Sequence, residues 1–182
     1  MKKNKKILGL DISTSITGAT IIQNEKIVDS FMWDTRNKNK FPDLYEKASF
    51  IRRKFIYICE EHKIDSIYIE QSLQSFRSGF SSAKTLSTLS RFNGMISLLC
   101  FQMFNKRPEM IAASSARKLS GVGIKRGDNA KEKVLQFIID KYPDIEIQYT
   151  KHGNPKPGTL DMCDSIVIAL AGDKLVREAE TT

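Results

Sequence analysis

The sequence predicts a single α/β domain that spans residues 1–182 and contains a five-stranded mixed sheet flanked by helices. Two observations predict this class. Short apolar runs rich in β-branched residues follow one another at the start of the chain, and later apolar runs alternate with segments of helical periodicity. No internal repeat, low-complexity stretch or change in composition marks a second domain, and the length is usual for one domain.

The first three strands are predicted to be antiparallel. The opening strand runs from Ile7 to Asp11 and ends in a single carboxylate, and two further apolar runs follow at residues 18–23 and 26–33. These two runs are joined at Asn24-Glu25. A connection this short joins neighbouring antiparallel strands, so the sheet begins as a meander.

The rest of the chain alternates between helices and strands. Residues 42–62 carry apolar side chains at three- and four-residue spacing, which predicts a helix, and residues 65–70 form a strand that again ends in a carboxylate, Glu70. The later predicted elements are a loop at 71–82, a helix at 83–104, a strand at 109–112, a short serine-capped helix at 114–119, a helix at 129–142, an irregular segment at 150–158 and a helix at 160–171.

Charge and cysteine usage narrow the class of function. The chain has 29 Lys and Arg residues against 21 Asp and Glu residues, and the net charge of +8 indicates a polyanionic partner, nucleic acid before an anionic membrane surface. The three cysteines form no Cys-x-x-Cys pair, which argues against a zinc site or a disulfide framework. We identify no secretion signal or membrane span and expect a cytoplasmic protein.

Four carboxylates form the main candidate site. Asp11 and Glu70 end two strands, and Asp161 and Asp164 are three residues apart, on one face of the last helix. Each acid has an ordinary explanation by itself, as a turn residue or as a charge that favours a helix N-terminus. Together they are the oxygen ligands that a hard cation such as Mg²⁺ requires.

A second feature is a basic segment. Residues 110–127 contain Arg117, Lys118, Lys125 and Arg126 and no acidic residue. Such a run is often only a solvated face, but in a basic protein it is also the best local candidate for contact with phosphates.

At this point the motifs resemble those of the RuvC-type Holliday junction resolvases, which have a ribonuclease H-like fold. Gly9-Leu10-Asp11-Ile12-Ser13 with Thr17-Gly18 resembles the first acidic motif of that family, and Ile69-Glu70-Gln71 resembles the second. Asp161-Met162-Cys163-Asp164-Ser165 with Ala169 resembles the closing acidic helix. The segments at 115–118 and 122–124 resemble the basic DNA-contacting region, and the likeness covers nearly the whole chain in the right order.

The resemblance implies a metal-dependent endonuclease that cleaves Holliday junctions and other branched DNA by phosphodiester hydrolysis. It implies that Asp11, Glu70, Asp161 and Asp164 bind two Mg²⁺ ions per active site, with Mn²⁺ able to substitute, and that the protein is a homodimer. The lysine that the family places beside its active site aligns with either Lys131 or Lys133. Residues 149–158 are longer than the bacterial pattern, which suits a phage or other accessory version.

Two further expectations concern aromatic residues. The family carries an aromatic residue after its second acidic motif. Phe76, followed by Arg77, matches it loosely as a DNA contact, and Phe80 is the second choice. Phe76 could instead dock on the protein's own surface. The helix at 83–104 has more apolar residues than one stripe needs, including Phe101 and Phe104. The surplus predicts either a two-fold dimer interface or a fully buried core helix.

Two other classes of function compete with the endonuclease. Residues 11–15 also resemble the phosphate loop that opens actin-like phosphotransferases, but those proteins need a second such domain and a second phosphate loop. A non-catalytic protein that binds junctions would keep the basic surface without needing all four carboxylates. Cleavage of a synthetic four-way junction in the presence of Mg²⁺ separates these classes from the endonuclease.

Overall fold

The computed structural model describes residues 4–71 and 83–181, and all structural statements concern these two ranges. The described chain forms five strands and five helices. The strands are β1 (Lys6–Asp11), β2 (Ile16–Gln23), β3 (Lys26–Asp34), β4 (Ser66–Glu70) and β5 (Glu109–Ile111). The helices are α1 (Leu44–Glu61), α2 (Ala83–Phe104), α3 (Ala113–Ser120), α4 (Ala130–Lys141) and α5 (Thr159–Ala179).

The sheet has the order β3-β2-β1-β4-β5. Strand β2 pairs antiparallel with both β1 and β3, whereas β4 pairs parallel with β1 and β5. Asn24 and Glu25 turn the β2–β3 hairpin with positive φ angles of 51° and 62°, as a tight two-residue hairpin requires. The predicted five-stranded mixed sheet, with its first three strands antiparallel, is therefore confirmed.

The two faces of the sheet carry separate hydrophobic cores. Because successive side chains of a strand point to opposite faces, Leu8 and Leu10 of β1 pack on the side of α1 and α2. Ile7 of β1 and Tyr68 of β4 pack on the other side, with α3, α4 and α5. The sheet is thus the middle layer of three, and α5 is the central helix of its face.

Two glycines let α5 lie directly on the strands. A Cβ atom on Gly9 of β1 would stand 2.5 Å from the amide nitrogen of Ala169, and one on Gly18 of β2 would stand 2.0 Å from the carbonyl oxygen of Asp161. Real Cβ atoms do not approach this closely, so any side chain at either position would force the helix away from the sheet.

A buried hydroxyl chain fixes α5 along its axis. Ser165 Oγ lies 2.7 Å from Thr20 Oγ1 of β2 and donates to the carbonyl oxygen of Met162 at 2.7 Å. Thr20 Oγ1 is also 2.9 Å from Ser30 Oγ of β3. Because buried hydroxyls need partners, these contacts favour one register of the helix against the sheet.

Two predicted helix ends are wrong. Helix α3 begins at Ala113 and its N-cap is Ala112, which makes no side-chain capping bond, so the expected serine cap is absent. Only Ala112 separates β5 from α3, and the chain enters the helix directly from the strand. Helix α5 continues to Ala179, beyond the predicted end at residue 171, because Leu175 and Val176 still pack on the core.

The length and apolar character of α5 do not make it a membrane segment. Among the helices in residues 4–71 and 83–181, none is both long enough and apolar enough to span a bilayer.

The close contact between α5 and the sheet can be tested with one methyl group. Gly18→Ala should destabilise the protein by about 1–3 kcal/mol, because overpacking a rigid contact displaces backbone. Gly94→Ala is the matched control, since Gly94 lies in α2 with nothing within 4 Å of an added Cβ atom. The control should be neutral or stabilising by up to about 1 kcal/mol. Urea unfolding of both variants measures the difference, and equal stabilities would contradict a tight contact at Gly18.

Candidate active site

The two strand-end carboxylates leave the sheet side by side. Asp11 is the last residue of β1 and Glu70 is the last residue of β4. These strands are parallel neighbours, with Leu10 paired to Ile69, so the acids follow directly on paired residues at one edge of the sheet. Both residues are half-buried.

Helix α5 brings two more carboxylates to this edge. Gly18 pairs with Asp11 in the β1–β2 ladder, and the main chain of Asp161 lies against Gly18. Asp161 is in the first turn of α5, and Asp164 follows one turn later. The α5–sheet contact thus places the helix acids beside the strand acids.

The carboxylates interact electrostatically. Burial raises the pKa of Asp11 well above its usual range, and the charges of Glu70, Asp164 and Asp161 raise it further, in that order. Burial also raises the pKa of Glu70 to about 7, with a further contribution from Asp164. Loss of solvent and like charge both disfavour ionisation, so these acids behave as one coupled group.

The helix acids are perturbed in the same direction. Burial raises the pKa of Asp161 and that of Asp164, and the charge of Asp161 adds to the effect on Asp164. None of the four carboxylates forms an ion pair within 4.0 Å with another residue in 4–71 or 83–181. Their negative charge is therefore not neutralised by direct salt bridges with the described part of the chain.

One lysine acts on all four acids from a distance. The charge of Lys131 lowers the pKa of Asp11, Glu70, Asp161 and Asp164. Lys131 is in the first turn of α4, where its amide donates to the side chain of Asn129 at 3.1 Å. Of the two lysines that the family resemblance left open, Lys131 is the one whose charge acts on these acids. Its correspondence to the family's active-site lysine remains a prediction.

Arg117 is a second cation near the acids. It projects from α3, and its charge opposes the raised pKa of both Glu70 and Asp164. The other predicted basic contacts lie further out on the surface. Lys118 is exposed on α3, and Lys125 and Arg126 are exposed in the turn before α4.

Sequence reasoning missed Arg36. Its guanidinium forms a two-pronged ion pair with Asp34, with Nη2 2.6 Å from Oδ2, and its charge lowers the pKa of Asp161. The pairing of β2 with β3 is the feature that could have indicated this position. Ile16 pairs with Asp34, so the end of β3 lies at the same edge of the sheet as the end of β1.

Asn93 was also missed. It is only 7% exposed in α2, and its Nδ2 donates to the carbonyl oxygen of Glu70 at 3.3 Å. Ser97 Oγ donates in turn to the carbonyl oxygen of Asn93 at 2.8 Å. The Asn93 amide thus ties α2 to the end of β4 and helps to position Glu70.

Phe76 and Arg77, both predicted to contact DNA, lie outside the described residues. Their expected roles remain predictions.

The chemistry of the donor set fits a hard cation. No three His, Cys, Asp or Glu side chains in the described ranges are arranged as a ready metal-ligand group, so the fit depends on the type of donor. All four acids offer oxygen, and burial raises the pKa of the neighbouring Cys163 thiol to about 12, which keeps that sulfur protonated. Oxygen-only donors suit Mg²⁺ or Mn²⁺, whereas softer metals prefer nitrogen and sulfur.

The site thus consists of an acidic centre at one edge of an α/β sheet, surrounded by a basic rim. Comparison with solved structures finds this fold in Thermus thermophilus RuvC in complex with a Holliday junction substrate, with a TM-score of 0.68, 12% identity and 96% of each chain covered. A second T. thermophilus RuvC structure gives a TM-score of 0.65 at 13% identity, again with 96% of each chain covered.

The yeast mitochondrial Holliday junction resolvase Ydc2 gives a TM-score of 0.61 at 14% identity, with 98% of this chain and 81% of that chain covered. No protein-family model matches the sequence, and no curated protein matches it significantly. At the level of the fold, the predicted resemblance to RuvC-type resolvases is confirmed.

The raised pKa of Glu70 predicts how the stability of metal-free protein depends on pH. An unfolded glutamate ionises near pH 4.3, whereas folded Glu70 keeps its proton until about pH 7. Between these values the folded chain binds more protons than the unfolded chain, so rising pH lowers the free energy of unfolding. Glu70→Gln cannot ionise and should therefore gain Tm relative to wild type as the pH rises from 4.5 to 7.5.

Thermal unfolding in EDTA at several pH values measures this difference. A change of about 1 kcal/mol corresponds to about 2–4 °C for a chain of this length. Glu61→Gln is the control, because Glu61 is exposed at the end of α1 and should give no such trend. A Tm difference for Glu70→Gln that does not change with pH would refute the electrostatic account.

Proposed function

We propose that the protein is a metal-dependent, structure-selective endonuclease that cuts Holliday junctions and other branched DNA by hydrolysis of phosphodiester bonds. The observation that carries the proposal is the set of four carboxylates at one edge of a RuvC-like sheet, surrounded by cations from α3, α4 and the segment after β3. A purely structural site would gain nothing from burying so many like charges, because each one costs free energy.

The four acids would hold two Mg²⁺ or Mn²⁺ ions. When bound, such ions supply an activated water and stabilise the charge on the leaving oxygen. The chain itself provides the rigid support. Gly18 holds Asp161 against the sheet, and Asn93 holds the main chain of Glu70, so the ligands project from secondary structure rather than from free loops.

The surrounding cations would bind the DNA. Lys131 and Arg117 lie near enough to the acids to change their pKa, so they can hold the scissile phosphate beside the carboxylates. The exposed residues of the outer basic surface would contact phosphates further along the arms. This outer surface comprises Lys118, Lys125, Arg126 and Lys133.

Helix α2 supports the proposal of a homodimer. Leu98 is 55% exposed and Phe101 is 43% exposed on its outer face, although both are large apolar side chains. Phe104 instead packs edge-on against Phe55 in the core, with ring centroids 5.3 Å apart. A second copy covering Leu98 and Phe101 would give a two-fold assembly with two active sites, which matches the two equivalent strands of a four-way junction.

Replacing Asp11 tests the catalytic proposal. Asp11→Asn keeps the size of the side chain but removes a metal-binding charge, and should reduce junction cleavage more than about 100-fold, the upper cost of losing a supporting residue around a metal site. Binding should persist, because affinity comes mainly from basic side chains. Cleavage of a labelled four-way junction with Mg²⁺, together with a gel-shift assay in EDTA, measures both quantities.

A linear duplex and a Y-fork run beside the junction show whether the activity is structure-selective. Normal cleavage by Asp11→Asn would exclude the metal-ligand role. Tight junction binding by wild-type protein without any cleavage in Mg²⁺ or Mn²⁺ would instead support a non-catalytic junction-binding protein.

The two lysines of α4 provide a matched pair of variants. Lys131→Ala removes the cation that acts on all four carboxylates and should lower the cleavage rate about 100-fold, as loss of a preorganised charge does at other active sites. Lys133→Ala should leave the rate at which bound junction is cleaved nearly unchanged. Single-turnover cleavage at saturating protein separates this effect from affinity, and equal rates for the two variants would show that Lys131 has no special role.

A further inference from the structure

An aromatic cleft lies between the edge strand β3 and helix α1, on the sheet face that carries α1 and α2. Its volume is about 490 Å³. The residues that line it include Phe31 and Trp33 of β3 and Phe50, Arg53, Lys54 and Tyr57 of α1. The carboxylate site does not include any of these residues.

The cleft offers aromatic rings with defined geometry. The ring of Phe31 stacks on that of Trp33, with centroids 6.0 Å apart and planes inclined by 26°. Tyr57 meets Phe31 edge-on at 6.1 Å and is 48% exposed, whereas Trp33 is only 4% exposed. Trp33 therefore lies at the base of the cleft and Tyr57 at its mouth.

Cations stand beside these rings. The guanidinium carbon of Arg53 lies 5.9 Å from the centroid of the Phe50 ring, and Lys54 Nζ lies 5.3 Å from it. Neither cation forms an ion pair with a carboxylate in the described part of the chain. Aromatic faces beside uncompensated cations are the features that bind single-stranded nucleic acid, since bases stack on the rings and phosphates meet the cations.

The cleft continues toward the carboxylate site. Phe50 also lines a neighbouring cavity of about 580 Å³, together with Asp34, Arg36 and Lys40. Arg36 follows Asp34, the last residue of β3, which pairs with Ile16 at the end of the sheet that carries Asp11. Its charge also lowers the pKa of Asp161. The two cavities share Phe50, and together they form a surface, the track, that extends from Arg36 past Phe50 to Tyr57.

We propose that this track binds an unpaired stretch of the DNA strand next to the cleavage site, with a base in the cleft and phosphates on Lys40, Arg53 and Lys54. The inference rests on the proposed nuclease function and extends it to the choice of substrate. Bases inside a duplex present no free face to an aromatic cleft, so branched DNA with unpaired nucleotides should bind better than fully paired DNA.

Trp33 reports on this site directly, because it is the only tryptophan in the chain. Titration of full-length protein with an oligothymidylate of about eight nucleotides, in EDTA, should change the emission of Trp33 in a saturable way. A fluorescein label on the oligonucleotide gives total binding by anisotropy in parallel. A paired duplex of the same length should leave the Trp33 emission nearly unchanged.

Two pairs of variants show whether binding depends on the track or only on the overall positive charge of the protein. Arg53→Ala with Lys54→Ala should weaken oligothymidylate binding at least about fivefold and reduce the emission change. The control is Lys26→Ala with Lys141→Ala, which removes the same charge near the β2–β3 turn, at the far end of β3. Tyr57→Ala should reduce the emission change, whereas Tyr45→Ala, at an exposed tyrosine of α1 outside the cleft, should not.

Three results would overturn the proposal. The first is saturable binding by anisotropy without any change in Trp33 emission, and the second is equal weakening of binding by the two double variants. The third is a change in Trp33 emission that follows protein concentration without DNA, which would assign the cleft to a second copy of the chain. Junction cleavage with Mg²⁺ is measured separately. If the protein cleaves junctions but its Trp33 emission does not change with the oligonucleotide, the proposed track is refuted and the proposed nuclease function is not.

Discussion

The contact between α5 and the first two strands is the constraint on which the rest of the site depends. Gly9 and Gly18 allow the helix backbone to touch the sheet, and the buried hydroxyl contact between Ser165 and Thr20 fixes its position along the strands. Since Gly18 pairs with Asp11, the same contact that buries the apolar face of α5 also sets Asp161 beside a strand-end acid. The same contact therefore both packs the core and assembles the carboxylate site.

Concentrating negative charge in this way has a cost that is visible in the acids. Burial and mutual repulsion raise the pKa of Asp11 and Glu70, and the opposing charges come from separate elements, Lys131 on α4, Arg117 on α3 and Arg36 after β3. These cations surround the acids without forming direct ion pairs with them in the described ranges. An arrangement of this kind leaves the acidic centre able to attract metal cations and the rim able to attract phosphate, which is the electrostatic requirement of a phosphodiesterase.

The position of Arg36 connects the two surfaces that we propose for DNA. Its ion pair with Asp34 holds it at the end of β3, between the carboxylates and the cavity that Phe50 shares with the aromatic cleft. A strand that passed the acidic centre would meet first a charged and then an aromatic surface. Charge gives affinity for any nucleic acid, whereas aromatic rings favour bases that are free to stack, so the combination would contribute preference for opened or branched DNA.

The sequence by itself determined the features that depend on local pattern. The strand-end acids Asp11 and Glu70 follow apolar runs, the spacing of Asp161 and Asp164 places them on one helix face, and the order of elements predicts the sheet. Only the tertiary structure directed the charges of Lys131 and Arg36 toward Asp161 and joined Asn93 to Glu70. The physical reason is that periodicity gives the face of a helix relative to its own axis, whereas the direction of that face depends on contacts with residues distant in the chain.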